Sequence, residues 1–131
     1  MFGTYNIDFE GGPPLHYLIA DSHGDSALVE HFEGEIQVVR GDPAWQAATN
    51  FLESSVESTG GQCGRHDTVA RQLEGAGGAL DIPGAFLLLE DVSQPDTQYS
   101  VVYSTSTGNV GVAMGRAYDQ VFSFQLEMLD R

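Results

Sequence analysis

The sequence predicts an α+β fold with mainly antiparallel sheets. Short runs of alternating apolar residues, typical of strands, occur towards both ends of the chain. The apolar spacing becomes helical in the middle, and Gly-containing turns separate neighbouring runs. The element order is therefore β-β-β-loop-α-α-β-β-β. The 131 residues suit a single domain, 1–131, or part of a larger one, and they contain no internal repeat or linker.

A β-hairpin between Pro14 and Glu30 is the element around which the others are arranged. Two runs rich in Leu, Ile, Val and Tyr flank the polar segment Asp21 to Asp25, in which Gly24 can adopt the positive φ of a turn. Both faces of the first run are largely apolar, so we expect this strand to be covered on both sides. Before the hairpin, Phe2 to Phe9 alternates loosely and predicts a further strand.

The rest of the chain divides at its turn residues. The run Glu35 to Val39 predicts a strand, and Ser54 to Gly64 is rich in Ser, Gly and Glu and predicts a loop. Two helices follow. The first carries Val69, Ala70 and Leu73 and stops at Gly75, Gly77 and Gly78, and the second has Asp81 as N-cap, Pro83 in its first turn and a face of Ala85, Phe86, Leu89 and Val92. The last predicted strands are Gln98 to Ser104, Val110 to Met114 and Val121 to Met128, with a turn at Thr107-Gly108-Asn109 between the first two.

The charge of the chain restricts its partners. Five Arg and no Lys stand against 19 acidic residues, which gives a net charge of −14. Nucleic acids and anionic membrane surfaces are poor partners because both require clustered basic residues. The acidic surface is typical of proteins that work at high salt, where screening weakens self-repulsion. Ordinary compositional bias explains it equally well.

Few features of the sequence indicate a compartment. A single cysteine, Cys63, cannot form an internal disulfide framework. The longest apolar run, Ala85 to Leu89, is too short to span a bilayer. No basic segment followed by an apolar one opens the chain, so we expect a cytoplasmic location.

The four histidines and the acidic turn do not predict a metal site or a bound cofactor. His16, His23, His31 and His66 lack standard ligand spacing, although His16 and His31 lie on neighbouring predicted strands. The turn Asp21 to Asp25 has its Gly in the wrong position for a calcium loop and lacks the terminal bidentate Glu. We interpret all of these residues as packing, surface or turn residues.

Cys63 is a poor candidate for a nucleophile. Gly61-Gln62-Cys63-Gly64 superficially resembles the segment around the papain-type cysteine, but no second Cys followed by an aromatic residue comes after it. We interpret Cys63 as a small residue in a Gly-rich loop. No Gly-x-Ser-x-Gly motif singles out a nucleophilic serine either.

Asn50 and Arg65 have ordinary local interpretations, a turn former and a solvated charge. Their wider context gives them another meaning. His16 to Glu30 resembles the "hyl-aDasGesa-vE" signature of linear amide C–N hydrolases, N-terminal-nucleophile (Ntn) enzymes that include choloylglycine hydrolases, penicillin V acylases and the isopenicillin-N acyltransferases of peptidase family C45. Thr49-Asn50-Phe51 resembles the family's "TN" element, Arg65 with Leu73 its Arg-led helix, and Thr97 to Tyr103 its "TqwSvvY" strand. The matches come in the family's order over about Leu15 to Leu126, and the C45-type branch is the most similar.

This resemblance implies an αββα layered sandwich and a non-peptide amide hydrolase or acyltransferase acting on a small acylated amine or amino acid. In such enzymes an N-terminal Cys exposed by self-cleavage attacks the amide carbonyl, with its own α-amine as base. The resemblance makes Asn50 the oxyanion donor and Arg65 the residue that favours the thiolate. Asp21 is assigned to the hairpin turn rather than to the chemistry.

The chain departs from the family at the nucleophile. The family's Cys, and the Arg and Asp that follow it, belong to an N-terminal half that has no counterpart in this sequence, and Cys63 does not align with that Cys. We therefore expect a C-terminal half whose partner is the segment or subunit that carries the nucleophile. The alternative is a non-catalytic α/β module that binds a small ligand or a partner through an orphaned sheet edge. Its truncated sheet would expose unpaired backbone and apolar surface, so we expect oligomers or aggregation.

Overall fold

The computed structural model describes residues 15–32, 35–40, 44–49 and 63–128. Within these ranges the chain is a small α+β fold of two three-stranded antiparallel sheets and two helices. The elements are β1 (Leu15–Ala20), β2 (Ser26–Phe32), β3 (Glu35–Val39), α1 (Gly64–Gly75), α2 (Ile82–Asp91), β4 (Tyr99–Tyr103), β5 (Asn109–Met114) and β6 (Val121–Gln125). The predicted strand Phe2 to Phe9 lies outside the described residues.

The first sheet, in the order β1-β2-β3, contains the predicted hairpin. Leu15 pairs with His31 and Ala20 with Ser26, and Gly24 in the turn has φ 92°. The Asp21 carboxylate accepts hydrogen bonds from the backbone N–H groups of His23 (2.8 Å) and Asp25 (3.1 Å). The His23 bond is the main cause that lowers the pKa of Asp21. These contacts agree with a structural role for Asp21 in the turn.

The prediction that the first strand is covered on both sides is wrong. Leu18 and Ile19 of β1 are exposed. The strand that is buried is β2, where Leu28, Val29 and Glu30 are all covered. The reason is topological, because β1 is an edge strand of its sheet and β2 is central.

Both predicted helices are present with shifted ends. Helix α1 begins at Gly64, where the sequence predicted loop, and ends at Gly75 as expected, before positive φ angles at Gly77 and Gly78. Helix α2 has the predicted N-cap, since Asp81 Oδ1 accepts from the N–H of Gly84 at 2.8 Å. It ends at Asp91, one residue before the predicted Val92.

The second sheet, in the order β4-β5-β6, packs one face against α2. On this side the ring of buried Phe86 lies directly over Gly111 of β5. The hydroxyls of Ser100 and Tyr118 lie 2.9 Å apart, and Tyr118 donates to the carbonyl of Leu89 in α2. All three predicted strands are confirmed, although the last ends at Gln125 rather than Met128.

The opposite face of the second sheet is made of apolar side chains. Because side chains alternate along a strand and cross-strand partners share a face, the register places eight of them together. We call this set the open face: Tyr99, Val101, Tyr103, Val110, Val112, Met114, Phe122 and Phe124. Five of the eight are exposed, namely Tyr99, Tyr103, Met114, Phe122 and Phe124.

Candidate functional site

The N-terminal end of α1 carries Arg65, one of the two predicted site residues. Cys63 is the N-cap, with extended backbone (φ −130°, ψ 112°), and its carbonyl accepts from the N–H of Asp67 at 3.0 Å. Arg65 lies in the first turn and is half-buried. The first N–H groups of a helix have no partner within it and form its positive end. This end therefore favours a negative charge.

The thiol of Cys63 lies in that field. It does not complete a capping hydrogen bond, but the backbone N–H of His66 interacts with the sulfur and is the main cause that lowers its pKa. Burial opposes this effect, while the Thr49 hydroxyl, the N–H of Arg65 and the Arg65 guanidinium add to it. The net result is a thiol pKa below the ordinary value, as expected for a cysteine at a helix N-terminus.

Thr49 brings a second segment of the chain to the same place. Its Oγ1 is buried and makes no hydrogen bond of standard geometry in the part of the chain that the structure describes. The group that it approaches is the Cys63 thiol, whose pKa it helps to lower. Thr49 and Cys63 are separated by 14 positions in the sequence, so this contact joins two distant segments.

The segment that ends at Thr49 contacts both the first sheet and the turn that follows α1. Gln46 Oε1 accepts from the hydroxyl of Ser26 at 2.7 Å, and Gln46 Nε2 donates to the carbonyl of Val39 at 3.3 Å. Ala44 packs so closely on Gly78 that a Cβ there would lie 2.8 Å from the Ala44 carbonyl oxygen. These contacts hold Ala44 and Gln46 between the first sheet and the turn after α1, a few residues before Thr49.

These contacts bring together the two segments that carry the predicted site residues. Asn50 lies outside the described residues, but its neighbour Thr49 contacts the residue two positions before Arg65. Cys63 is the residue whose setting the sequence interpretation missed, since it caps a helix rather than lying in a loop. Its position two residues before Arg65, at the start of the helical spacing, was the signal that could have identified it as an N-cap. The cluster of Thr49, Cys63 and Arg65 can stabilise a thiolate or a developing oxyanion.

Other chemistry finds less support. Among residues 15–32, 35–40, 44–49 and 63–128, no group of three His, Cys, Asp or Glu side chains could hold a metal ion. His16 and His31, which lie on paired strands, occupy opposite faces of the first sheet. No helix of the described part is long and apolar enough to cross a membrane.

A cleft of about 610 Å³ separates the hairpin end of the first sheet from one end of the open face. Leu18 and Ile19 line it on one side, and Tyr103, Val110 and Leu126 on the other. Its volume is in the range of small-molecule sites, and its walls are mainly apolar.

Comparison with known proteins found no matching family model, no matching curated protein and no matching solved structure. The resemblance to the Ntn amide hydrolases therefore depends on the sequence motifs alone.

Proposed function

We propose that this chain is the C-terminal portion of an Ntn-type amide hydrolase or acyltransferase, with Asn50 and Arg65 as its contribution to the active site. The substrate would be a small acylated amine or amino acid. The nucleophilic Cys would come from a preceding segment or a separate subunit, because Asn50 and Arg65 alone cannot cleave an amide bond.

The ordered motifs of the sequence carry the proposal, and the approach of the Thr49 hydroxyl to the Cys63 thiol supports it. Thr49 belongs to the segment that resembles the "TN" element, Cys63 precedes the segment that resembles the Arg-led helix, and 14 positions separate the two residues. The resemblance requires that these two elements share one site.

The electrostatics of this region suit the proposed chemistry. The positive end of α1 and the Arg65 guanidinium already lower the pKa of one thiol, that of Cys63. A nucleophilic thiol brought to the same place would gain from the same field. When such a thiolate attacks an amide carbonyl, the negative charge moves to the carbonyl oxygen, and the Asn50 side-chain N–H would donate to it. The C–N bond then breaks and the amine leaves with the proton that the α-amine took from the thiol.

The layering also supports the proposal. The second sheet has helix α2 on one face and apolar side chains on the other, as expected for an outer helical layer and an inner sheet face of an αββα sandwich. The hairpin end of the first sheet already lies across the cleft from Tyr103 and Val110 on that inner face. A second β layer would complete the sandwich.

The test uses the enzyme assembled with the polypeptide that supplies the Cys, and a panel of N-acyl amines and N-acyl amino acids. Asn50→Ala should lower kcat by about 10²–10³-fold, as loss of an oxyanion donor does. Arg65→Gln should raise the pH at which kcat/KM reaches half its maximum, because the thiolate loses a neighbouring positive charge. Arg71→Gln is the matched control, since Arg71 is exposed on the same helix and its side chain contacts Thr68.

Full activity of Asn50→Ala on every substrate that the wild type cleaves would contradict the proposal. So would an Arg65→Gln profile that coincides with that of Arg71→Gln. A second candidate function, a non-catalytic partner-binding module, is favoured by one observation, the five exposed side chains of the open face. It predicts no amide cleavage by any assembly that contains this chain.

A further inference from the structure

We infer that the open face of the second sheet is a self-association surface, and that its occupant in the 131-residue chain is a second copy packed sheet against sheet. This inference does not rest on the proposed function: the β layer that the proposal puts on the same face belongs to the segment or subunit that carries the nucleophile, and the inference concerns the 131-residue chain without it. It concerns the face of the second sheet opposite α2, and that face does not include Thr49, Cys63 or Arg65.

The composition of the open face is that of an interface centre. All eight residues are apolar or aromatic and none is charged, in a chain whose net charge is −14. The exposed fractions are 63% for Tyr99, 60% for Tyr103, 55% for Met114, 55% for Phe122 and 57% for Phe124. Contiguous apolar patches of this kind are rare on monomers and mark sites of association.

The exposed area is sufficient for a dimer. An aromatic side chain buries roughly 150–250 Å² when covered, so five side chains that are more than half exposed offer about 500–600 Å² per copy. Two copies would then bury roughly 1,000–1,200 Å² in total, the lower bound of specific interfaces. The tips of Leu126 and Met128, both exposed at the same end of the sheet, would add to this area.

Charge and geometry favour a second copy over other occupants. An uncharged apolar face can pack on the same face of a second copy through a two-fold axis, which gives the commonest type of homodimer. Sheets pack face to face at about 10 Å, and each copy already carries a helix on its outer face. Two copies would therefore build four layers in the order α-β-β-α.

The experiment measures the mass of the whole chain in solution by size-exclusion chromatography with light scattering. It is done at about 1 M KCl, where the Debye length of about 3 Å screens the acidic surfaces. The wild type should have twice the 14.1 kDa chain mass, and its Tm should rise with protein concentration, since a dimer melts by mass action.

Phe122→Glu and Phe124→Glu should each weaken the dimer by about tenfold or more, because a charge would be buried at the interface centre. Two matched controls should leave the dimer intact. Leu87→Glu introduces the same charge at a 65% exposed Leu on α2, and Ser123→Glu places it on β6 but on the opposite face. Circular dichroism checks that each variant is folded, and the concentration dependence of the wild-type Tm tests the dimer without any variant.

Three outcomes would overturn the inference. One is a wild-type monomer with a Tm independent of concentration. Another is a dimer that Phe122→Glu and Phe124→Glu leave as stable as the controls do. The third is an open-ended series of larger species, which would indicate pairing through the edge strand β6 instead.

Discussion

Replacing Gly111 by Ala should destabilise the protein through a single close contact. A Cβ at Gly111 would lie 2.7 Å from Cε2 and 3.0 Å from Cζ of Phe86, and 3.3 Å from a methyl carbon of Val121. Carbon atoms in favourable contact are about 3.5–4.0 Å apart, so the ring must move. Phe86 is only 5% exposed and has little room to do so.

The size of the effect follows from two opposing terms. Overpacking a well-filled core costs about 1–3 kcal/mol. Ala restricts the unfolded chain more than Gly does, which returns about 0.4–1 kcal/mol. The free energy of unfolding should therefore fall by about 1–2 kcal/mol, measured by urea unfolding followed by circular dichroism at one protein concentration.

A second variant isolates the contact. Phe86→Leu removes the ring atoms that the new methyl group would meet, so Gly111→Ala should cost less than half as much in that background. Gly75→Ala is the control, because a Cβ on Gly75 would meet no neighbouring group within 4 Å. It should be neutral or slightly stabilising. If Gly111→Ala lowers the free energy of unfolding equally in the wild type and in the Phe86→Leu background, the contact with the Phe86 ring is not the cause of the loss.

Three further predictions concern caps, the thiol and salt. Asp81→Ala should lower the free energy of unfolding by about 0.5–2 kcal/mol, measured by thermal or urea unfolding, because the Gly84 N–H loses its acceptor. Asp81→Asn should lower it by only a few tenths of a kcal/mol. Equal losses from the two variants would exclude the capping role. Arg65→Gln and Thr49→Val should each raise the pKa of the Cys63 thiol. The measurement is the rate of alkylation by iodoacetamide as a function of pH, and its midpoint should move to higher pH. An unmoved midpoint would show that neither group acts on the thiol. The Tm should rise as KCl increases from about 0.1 to about 2 M because screening weakens repulsion within a chain of net charge −14, and a flat or falling Tm would contradict this.

Local signals predicted most of the fold. The hairpin was predictable because alternation and Gly24 specify strands and a turn within a few residues of each other. Helix α2 was predictable because Asp81 and Pro83 mark its first turn. The start of α1 was missed because Cys63 is a poor N-cap by residue type and Gly64 is a poor helix former.

What the sequence could not predict depends on contacts between distant segments. The exposure of β1 follows from its position at the edge of the described sheet. The residue pattern of a single strand does not predict where that strand lies in the sheet. The approach of Thr49 to Cys63 likewise depends on how Gln46 is held by Ser26 and Val39. That Asn50 and Arg65 belong to one site stays a prediction of the motif resemblance, because Asn50 lies outside the described residues.

The most direct test of the central claim is the intact mass and N-terminal residue of the protein as its native host produces it, together with any polypeptide that copurifies. We expect a longer precursor or a partner chain that begins with Cys, in an assembly that cleaves an N-acyl amine. A lone chain that begins at Met1 and cleaves no amide would contradict it.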